Sequence, residues 1–164
     1  ALDERGKDLT TMKLAQELGM PLVSFIDTPG AELSASAEEG SMAGEIARCI
    51  ATMSSLTVPT VSVLLGEGTG GGALAMMPAD VTIAAQHSWL SPLPPEGASA
   101  IVHGHTDAAK DLAEQQQVSS IDMWRAGVVR HVVAEFDEDT PQDLASAVAA
   151  EVGYWLRELQ AGRA

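Results

Sequence analysis

Cysteine is almost absent from this 164-residue chain: Cys49 is the only one, so no disulfide can form within it. Its setting, Glu45-Ile46-Ala47-Arg48-Cys49-Ile50, has helical spacing, and Cys49 reads as a packing residue in a reducing compartment. Aromatic residues are scarce too, at 4% against 46% hydrophobic residues overall. The core must therefore be filled by Ala, Val, Leu, Ile and Met, and side chains that small imply close backbone packing. Basic residues number nine against 23 acidic ones, a formal charge of −14. A field of that sign repels phosphate backbones and anionic lipid, so neither nucleic acid nor a membrane surface is an expected partner. An anionic small ligand is still allowed, because local groups and backbone amides override the net field. No apolar run reaches 18 residues, and Ala1-Leu2-Asp3-Glu4-Arg5-Gly6-Lys7 lacks the basic start and apolar stretch of a signal peptide. A cytoplasmic protein is expected.

A chain of this length suits one domain, 1–164, able to bury about two-thirds of its unfolded surface. The first residue is not Met, and a helical pattern (Leu9, Met12, Leu14, Ala15, Leu18) starts at once, which suggests a domain entered partway through. Residues 8–19 read as a helix stopped by Gly19, with Pro21 beyond. Pro21-Leu22-Val23-Ser24-Phe25-Ile26 reads as a buried strand closed by the turn Asp27-Thr28-Pro29-Gly30. From Ser36 a capping pattern opens a helix to about residue 55, with Met42, Ile46, Ile50 and Met53 on one face. Val58 to Leu65 is β-branched and apolar and reads as a strand.

A short helix of about two turns, limited by Pro78, then a strand at Val81–Ala85, make that strand-helix-strand unit compact. Ser91-Pro92-Leu93-Pro94-Pro95-Glu96-Gly97 reads as irregular, 107–117 and 119–126 as helical, and 128–133 as a strand. After the acidic Glu135-Asp137-Glu138-Asp139 loop comes a last helix from about Pro141 to Gln160, with Leu144, Ala147, Val148, Val152 and Trp155 along one face. Alternating strands and helices predict an α/β fold with parallel pairing and function at strand ends.

The segment Gly66-Glu67-Gly68-Thr69-Gly70-Gly71-Gly72 packs five glycines into seven residues between a strand and a helix. Such a turn exposes backbone N–H groups along a helix start and suits an oxyanion. Three other readings compete. The glycines could serve only close strand-helix packing. Gly66, Gly68 and Gly71 formally match a dinucleotide fingerprint, but Pro78 interrupts the helix and residues 81–95 hold no acidic ribose ligand. Nucleophilic catalysis has Thr69 as its only candidate, and no G-x-S-x-G is present.

Phe25-Ile26-Asp27-Thr28-Pro29-Gly30-Ala31, Gly66 through Ala75, and Pro95-Glu96-Gly97-Ala98-Ser99-Ala100-Ile101 together resemble the carboxyltransferase alpha subunit of bacterial acetyl-CoA carboxylase. They occur in the family's order and approximate spacing, over about residues 8–160. The resemblance implies the Clp-protease/crotonase fold, a superhelix of β-β-α turns of which this chain resembles the C-terminal part. It implies transfer of a carboxyl group from carboxybiotin, carried on a separate biotin carboxyl carrier protein, to an acyl-CoA such as acetyl-CoA, forming malonyl-CoA for fatty acid biosynthesis. Gly71 and Gly72 match the paired glycines whose amides stabilise an oxyanion on the side that receives carboxybiotin. The acyl-CoA and its own oxyanion hole would come mainly from a beta-type subunit or upstream half, in a hetero- or homo-oligomer. Thr28, Pro29, Gly30 and Ala31 would form a second turn facing the same cleft, with Gly70 beside it and Pro95, Glu96 and Gly97 walling the other side.

Two departures from the family pattern stand out. Thr69-Gly70 replaces the usual glycine then serine, and Ser91-Pro92-Leu93-Pro94 is richer in proline. Enoyl-CoA hydratases of the same superfamily carry a catalytic Glu directly after the glycines, where this chain has Ala73 and Leu74. A non-catalytic structural or regulatory subunit with the same fold, or another CoA-thioester enzyme of the superfamily, is the alternative. His103-Gly104-His105 with Asp107 reads as a solvated loop rather than a metal site. Glu67 reads as a brace for the turn and Glu96 as a cap for the helix beyond Gly97, while Trp89, Trp124 and Trp155 read as core or interface residues.

Overall fold

A computed structural model of the chain describes residues 2–30 and 42–163. Helix α1 (Leu2–Leu18) stops at Gly19, whose φ of +64° is the left-handed conformation glycine adopts without steric cost. The apolar run that follows becomes β1 (Leu22–Thr28), with Leu22, Ser24 and Ile26 buried and Phe25 and Asp27 exposed. Helix α2 (Met42–Ser55) leads to β2 (Thr60–Thr69), the short helix α3 (Gly70–Met76) and β3 (Val81–Ala85). Then come β4 (Trp89–Ser91), α4 (Pro95–His103), α5 (Ala109–Gln116), α6 (Ser120–Arg125), β5 (His131–Val133) and α7 (Pro141–Ala161). The expected helix start at Ser36 lies outside the described residues.

All named strands pair in parallel, in the order β1-β2-β3-β5, with β4 added beside the far end of β2. Both sheet faces are covered, as parallel sheets require. One face buries Ile26, Leu64 and Ala84 with Ala73 of α3 and Met123 of α6, while Leu22 packs with Met12 and Met53 of α1 and α2. The other face buries Val61, Val63, Val81, Ile83 and Val133 against Val148 of α7, with Leu144, Val152 and Trp155 packed around them. Each such aliphatic side chain contributes about 1.5–3 kcal/mol, so small residues in number replace the missing aromatics. Cys49 is buried in α2, a packing residue as expected. Trp155 packs on the core as anticipated, whereas Trp124 is 53% exposed.

Four expectations are corrected. The strand ahead of the glycines does not break at Gly66: β2 continues to Thr69, because Glu67, Gly68 and Thr69 pair with Trp89, Leu90 and Ser91, and Gly68 also faces Thr28. Pro95-Glu96-Gly97 is not irregular but forms the first turn of α4, with Pro95 at a position where its missing N–H costs nothing. The helix therefore starts before Glu96, which sits in its first turn. The last strand begins at His131 rather than Val128. No helix among the described residues is long and apolar enough to cross a membrane.

Candidate functional site

The ends of β1 and β2 meet. The register slips between Ile26, which faces Leu64, and Thr28, which faces Gly68, so the single residue Asp27 stands opposite Leu65, Gly66 and Glu67. This bulge lets Asp27 Oδ1 accept from the Glu67 N–H at 3.1 Å. Beyond it, the Gly30 N–H donates to Thr28 Oγ1 at 3.2 Å. A Cβ on Gly30 would lie 3.1 Å from Thr69 Cγ2, and one on Gly70 would lie 3.7 Å from Gly30 Cα. Both glycines have positive φ, +91° and +77°. The end of β1 and the start of α3 thus approach through Gly30 and Gly70, with Pro29 exposed beside them. Ala31 lies outside the described residues.

The five glycines divide by function. A Cβ at Gly66 would sit 2.7 Å from Asp27 Oδ1, and one at Gly68 would sit 2.8 Å from Leu64 Cδ1 and 2.9 Å from Leu90 Cδ1. Those two are packing glycines inside a strand, and the neighbours they admit lie on β1, β2 and β4 rather than on a helix, so the packing is between strands and not the strand-helix packing expected. Gly70 makes the strand-to-helix corner. A Cβ on Gly71 would meet Ile46 Cδ1 of α2 at 2.5 Å, whereas one on Gly72 would meet nothing within 4 Å among the described residues. Gly72 is exposed. Glycine in a helix costs about 0.5–1 kcal/mol relative to alanine, and no described neighbour of Gly72 explains that cost.

Thr69 precedes α3 as its N-cap residue, with extended φ and ψ of −110° and 138°, yet its side chain makes no cap hydrogen bond. Its hydroxyl instead donates to Glu67 Oε1 at 3.0 Å, so Glu67 braces the turn as expected. The first N–H groups of an α-helix have no intrahelical acceptor, and here those of Gly71 and Gly72 are not taken up by Thr69. The other end of α3 is pinned: the Met76 carbonyl accepts from the hydroxyls of Ser24 and Ser62, and the Met77 carbonyl from Thr82 Oγ1 at 3.3 Å. A helix held at its carbonyl end, with two adjacent amides presented at its amino end, can donate to an oxygen that gains negative charge.

Competing chemistries fit less well. Thr69 and Glu67 have the spacing of a nucleophile and a base, but Thr69 is 2% exposed and cannot meet a substrate. A dinucleotide fingerprint needs its first glycines in the strand-to-helix turn, and here Gly66 and Gly68 belong to the strand. His103 and His105 stack at 5.9 Å, and His105 Nδ1 lies 3.8 Å from Asp107, but the described residues contain no group of three or more His, Cys, Asp or Glu placed to hold a metal.

Pro95 and Glu96 line a cavity of about 710 Å³ with His87, Trp89 and Lys110, and no residue of the glycine segment lines it. Gly97 packs against Leu93. The structure thus brings Gly30 against Gly70, while Pro95 and Glu96 line a cavity with residues of α5 and β4. Ile46 and Asp27 are the site residues that sequence reasoning missed. Each acts only through a tertiary contact, and neither carries a local signal beyond its place in a helix face or a turn.

The parallel α/β fold recurs in solved structures, among them a chain of transcarboxylase 12S that superposes with a TM-score of 0.69 at 22% identity, covering 89% of this chain and 30% of that one. The chain belongs to the family described as acetyl co-enzyme A carboxylase carboxyltransferase-like, whose profile matches residues 5–162. It is 51% identical over 156 residues to a probable biotin-dependent acyl-coenzyme A carboxylase beta3 subunit of Mycobacterium tuberculosis, covering 92% of this chain and 31% of that one. It is 35% identical over 164 residues to an acetyl-coenzyme A carboxylase carboxyl transferase subunit alpha of Francisella tularensis, covering 96% of this chain and 52% of that one. A Pseudomonas malonate decarboxylase hetero-tetramer contains a chain that superposes with a TM-score of 0.76 at 18% identity, covering 93% of this chain and 64% of that one. The chain therefore spans about a quarter to a half of the length of the curated relatives it matches.

Proposed function

We propose that this chain forms the carboxybiotin-receiving part of the carboxyltransferase site in a biotin-dependent acyl-CoA carboxylase, and that Gly71 and Gly72 are its catalytic groups. One observation carries the reading: adjacent glycine amides at the start of α3 that Thr69 leaves uncapped, with no described residue crowding Gly72. Carboxybiotin supplies the activated carboxyl group. The Gly71 and Gly72 N–H groups donate to the oxygen on which charge collects as that group leaves, and Gly30 and Gly70 keep the neighbouring wall free of side chains. Amides suit this work because they are neither consumed nor titrated, and removing one such donor costs about 10²- to 10³-fold in rate.

The acyl-CoA is held mainly by a beta-type partner or an upstream half. This follows from the family resemblance. Exposed Phe25, Ile101 and Val102 support a subunit contact, and a carrier protein bearing biotin completes the set of partners. Acetyl-CoA as substrate, malonyl-CoA as product and a cytoplasmic place in fatty acid biosynthesis follow from the family resemblance. The test is Gly72→Val in the assembled carboxylase. Carboxyl transfer should fall at least about 100-fold with assembly and melting temperature unchanged. Parental transfer rates would sink the reading and favour a non-catalytic subunit.

A further inference from the structure

We propose that Glu67 is a positioning residue that keeps the Gly71 and Gly72 amides open by drawing the Thr69 hydroxyl away from them. This rests on the oxyanion reading of those amides. Threonine is a favoured N-cap because its hydroxyl accepts from the second or third N–H of the helix. In α3 those positions are Gly71 and Gly72, the two donors assigned to the reaction. Thr69 has the extended backbone of an N-cap residue, so nothing in its main chain prevents it from capping them. Its hydroxyl is turned back along the strand to Glu67 Oε1 instead.

Two other helices show what the hydroxyl does when the carboxylate lies ahead of it. Ser119 before α6 donates to Asp122 Oδ2 and accepts from the Asp122 N–H at 3.2 Å. Thr140 before α7 donates to Asp143 Oδ2 and accepts from the Asp143 N–H at 3.3 Å. In both, the acid is the third helical residue and pulls the hydroxyl onto the helix end. In α3 the third residue is Gly72, and the carboxylate comes from two residues upstream. Residues two apart in a strand share a face, so β2 itself aims Glu67 at Thr69. The Glu67 backbone is fixed separately, by pairing with Trp89 and by Asp27, and does not depend on its side chain. Without Glu67, the hydroxyl finds its partner at the amides and occupies the place of the reacting oxygen.

The experiment is a double-mutant cycle in the assembled carboxylase. On the native background, Glu67→Ala should lower kcat about tenfold, the factor one competing N-cap hydrogen bond represents, with KM for acyl-CoA unchanged. On the Thr69→Val background the same change should cost less than about twofold, because no hydroxyl is left to swing. Glu67→Gln, which retains an acceptor, should recover most of the native rate. If Glu67→Ala does not assemble, Glu67→Met keeps the volume of the stem and is read the same way. Equal losses on the two backgrounds would overturn the proposal and leave Glu67 as a structural brace. Gly72→Val separates this outcome from failure of the underlying reading: parental transfer in that variant condemns the oxyanion assignment, whereas lost transfer with equal Glu67 losses condemns only the role of Glu67.

Discussion

Helices α3 and α7 both begin after a threonine with extended backbone, and they treat their ends in opposite ways. At α7, Thr140 and Asp143 form a full capping box, Pro141 occupies the first turn, and the amino end is closed. At α3 the amino end is left unbonded by its threonine, while hydroxyls of Ser24, Ser62 and Thr82 on the sheet secure the carbonyl end. The long helix runs 21 residues and covers a sheet face. The short one runs seven, and its anchorage at the carbonyl end leaves the amides available. The residue at the helix start does not decide between these outcomes. The position of the nearest carboxylate does.

The comparison can be broken by making α3 resemble α7. Gly72→Asp places an acid third in the helix, as Asp143 is in α7, and no described residue lies within 4 Å of the added Cβ. We expect carboxyl transfer by the assembled enzyme to fall at least about 100-fold, with melting temperature unchanged or raised. An enzyme that retains transfer with a closed helix end would refute the contrast.

Gly71 sharpens it from the other side. Gly71→Ala presses on Ile46 Cδ1, and denaturant unfolding should show a loss of about 1–2 kcal/mol, modest because the near atom is the tip of a half-buried side chain. Ile46→Val, which removes that atom, should restore most of the loss. No recovery would mean that the glycine is required for another reason.

Ser119→Ala removes a cap that the structure shows engaged and should cost about 1 kcal/mol in the same assay. Thr69→Ala should not follow that rule, since its hydroxyl caps nothing. The smallest effect is acid-dependent. Hydrogen bonds from Thr140 hold the Asp143 carboxyl below its ordinary value. A carboxylate depressed on folding contributes stability above its unfolded pKa, about 3.9, and loses it as pH falls through the lower folded value. Carbon-13 titration should therefore place Asp143 below the ordinary aspartate range in the native protein, and Thr140→Ala should return it toward that range. An unchanged midpoint would deny the capping box its part.

Much of this arrangement was legible in residue order. The helix ending at Gly19, the strand after Pro21, the short helix before Pro78 and the long terminal helix all carry local periodicity or stop signals. Attention to Thr28 through Gly30, to Gly70 and to Gly71 and Gly72 followed from family motifs. The course of β2 through Gly66 to Thr69 did not, because glycine-rich chain locally favours a turn and only pairing with Trp89 to Ser91 holds it extended. The start of α4 at Pro95 was also hidden, since a proline cluster marks irregular chain as readily as a helix start. The cavity that takes Pro95 and Glu96 depends on α5 and β4 coming together, which no motif records.

The sequence by itself determined an α/β chain with parallel strands, a core of small aliphatic residues, and three motifs in an order that together indicate a carboxyltransferase family. Periodicity, backbone freedom and motif order are properties of neighbours along the chain, so they can be read without coordinates. Only the tertiary structure decided that Gly66 and Gly68 serve packing, that Gly71 answers to Ile46, that no described residue crowds Gly72 and that Thr69 turns to Glu67. Most of those outcomes depend on what lies opposite in space, from residues some 20 to 40 positions away. The last depends on the strand holding Glu67 and Thr69 on one face, which the local pattern taken for a turn did not reveal.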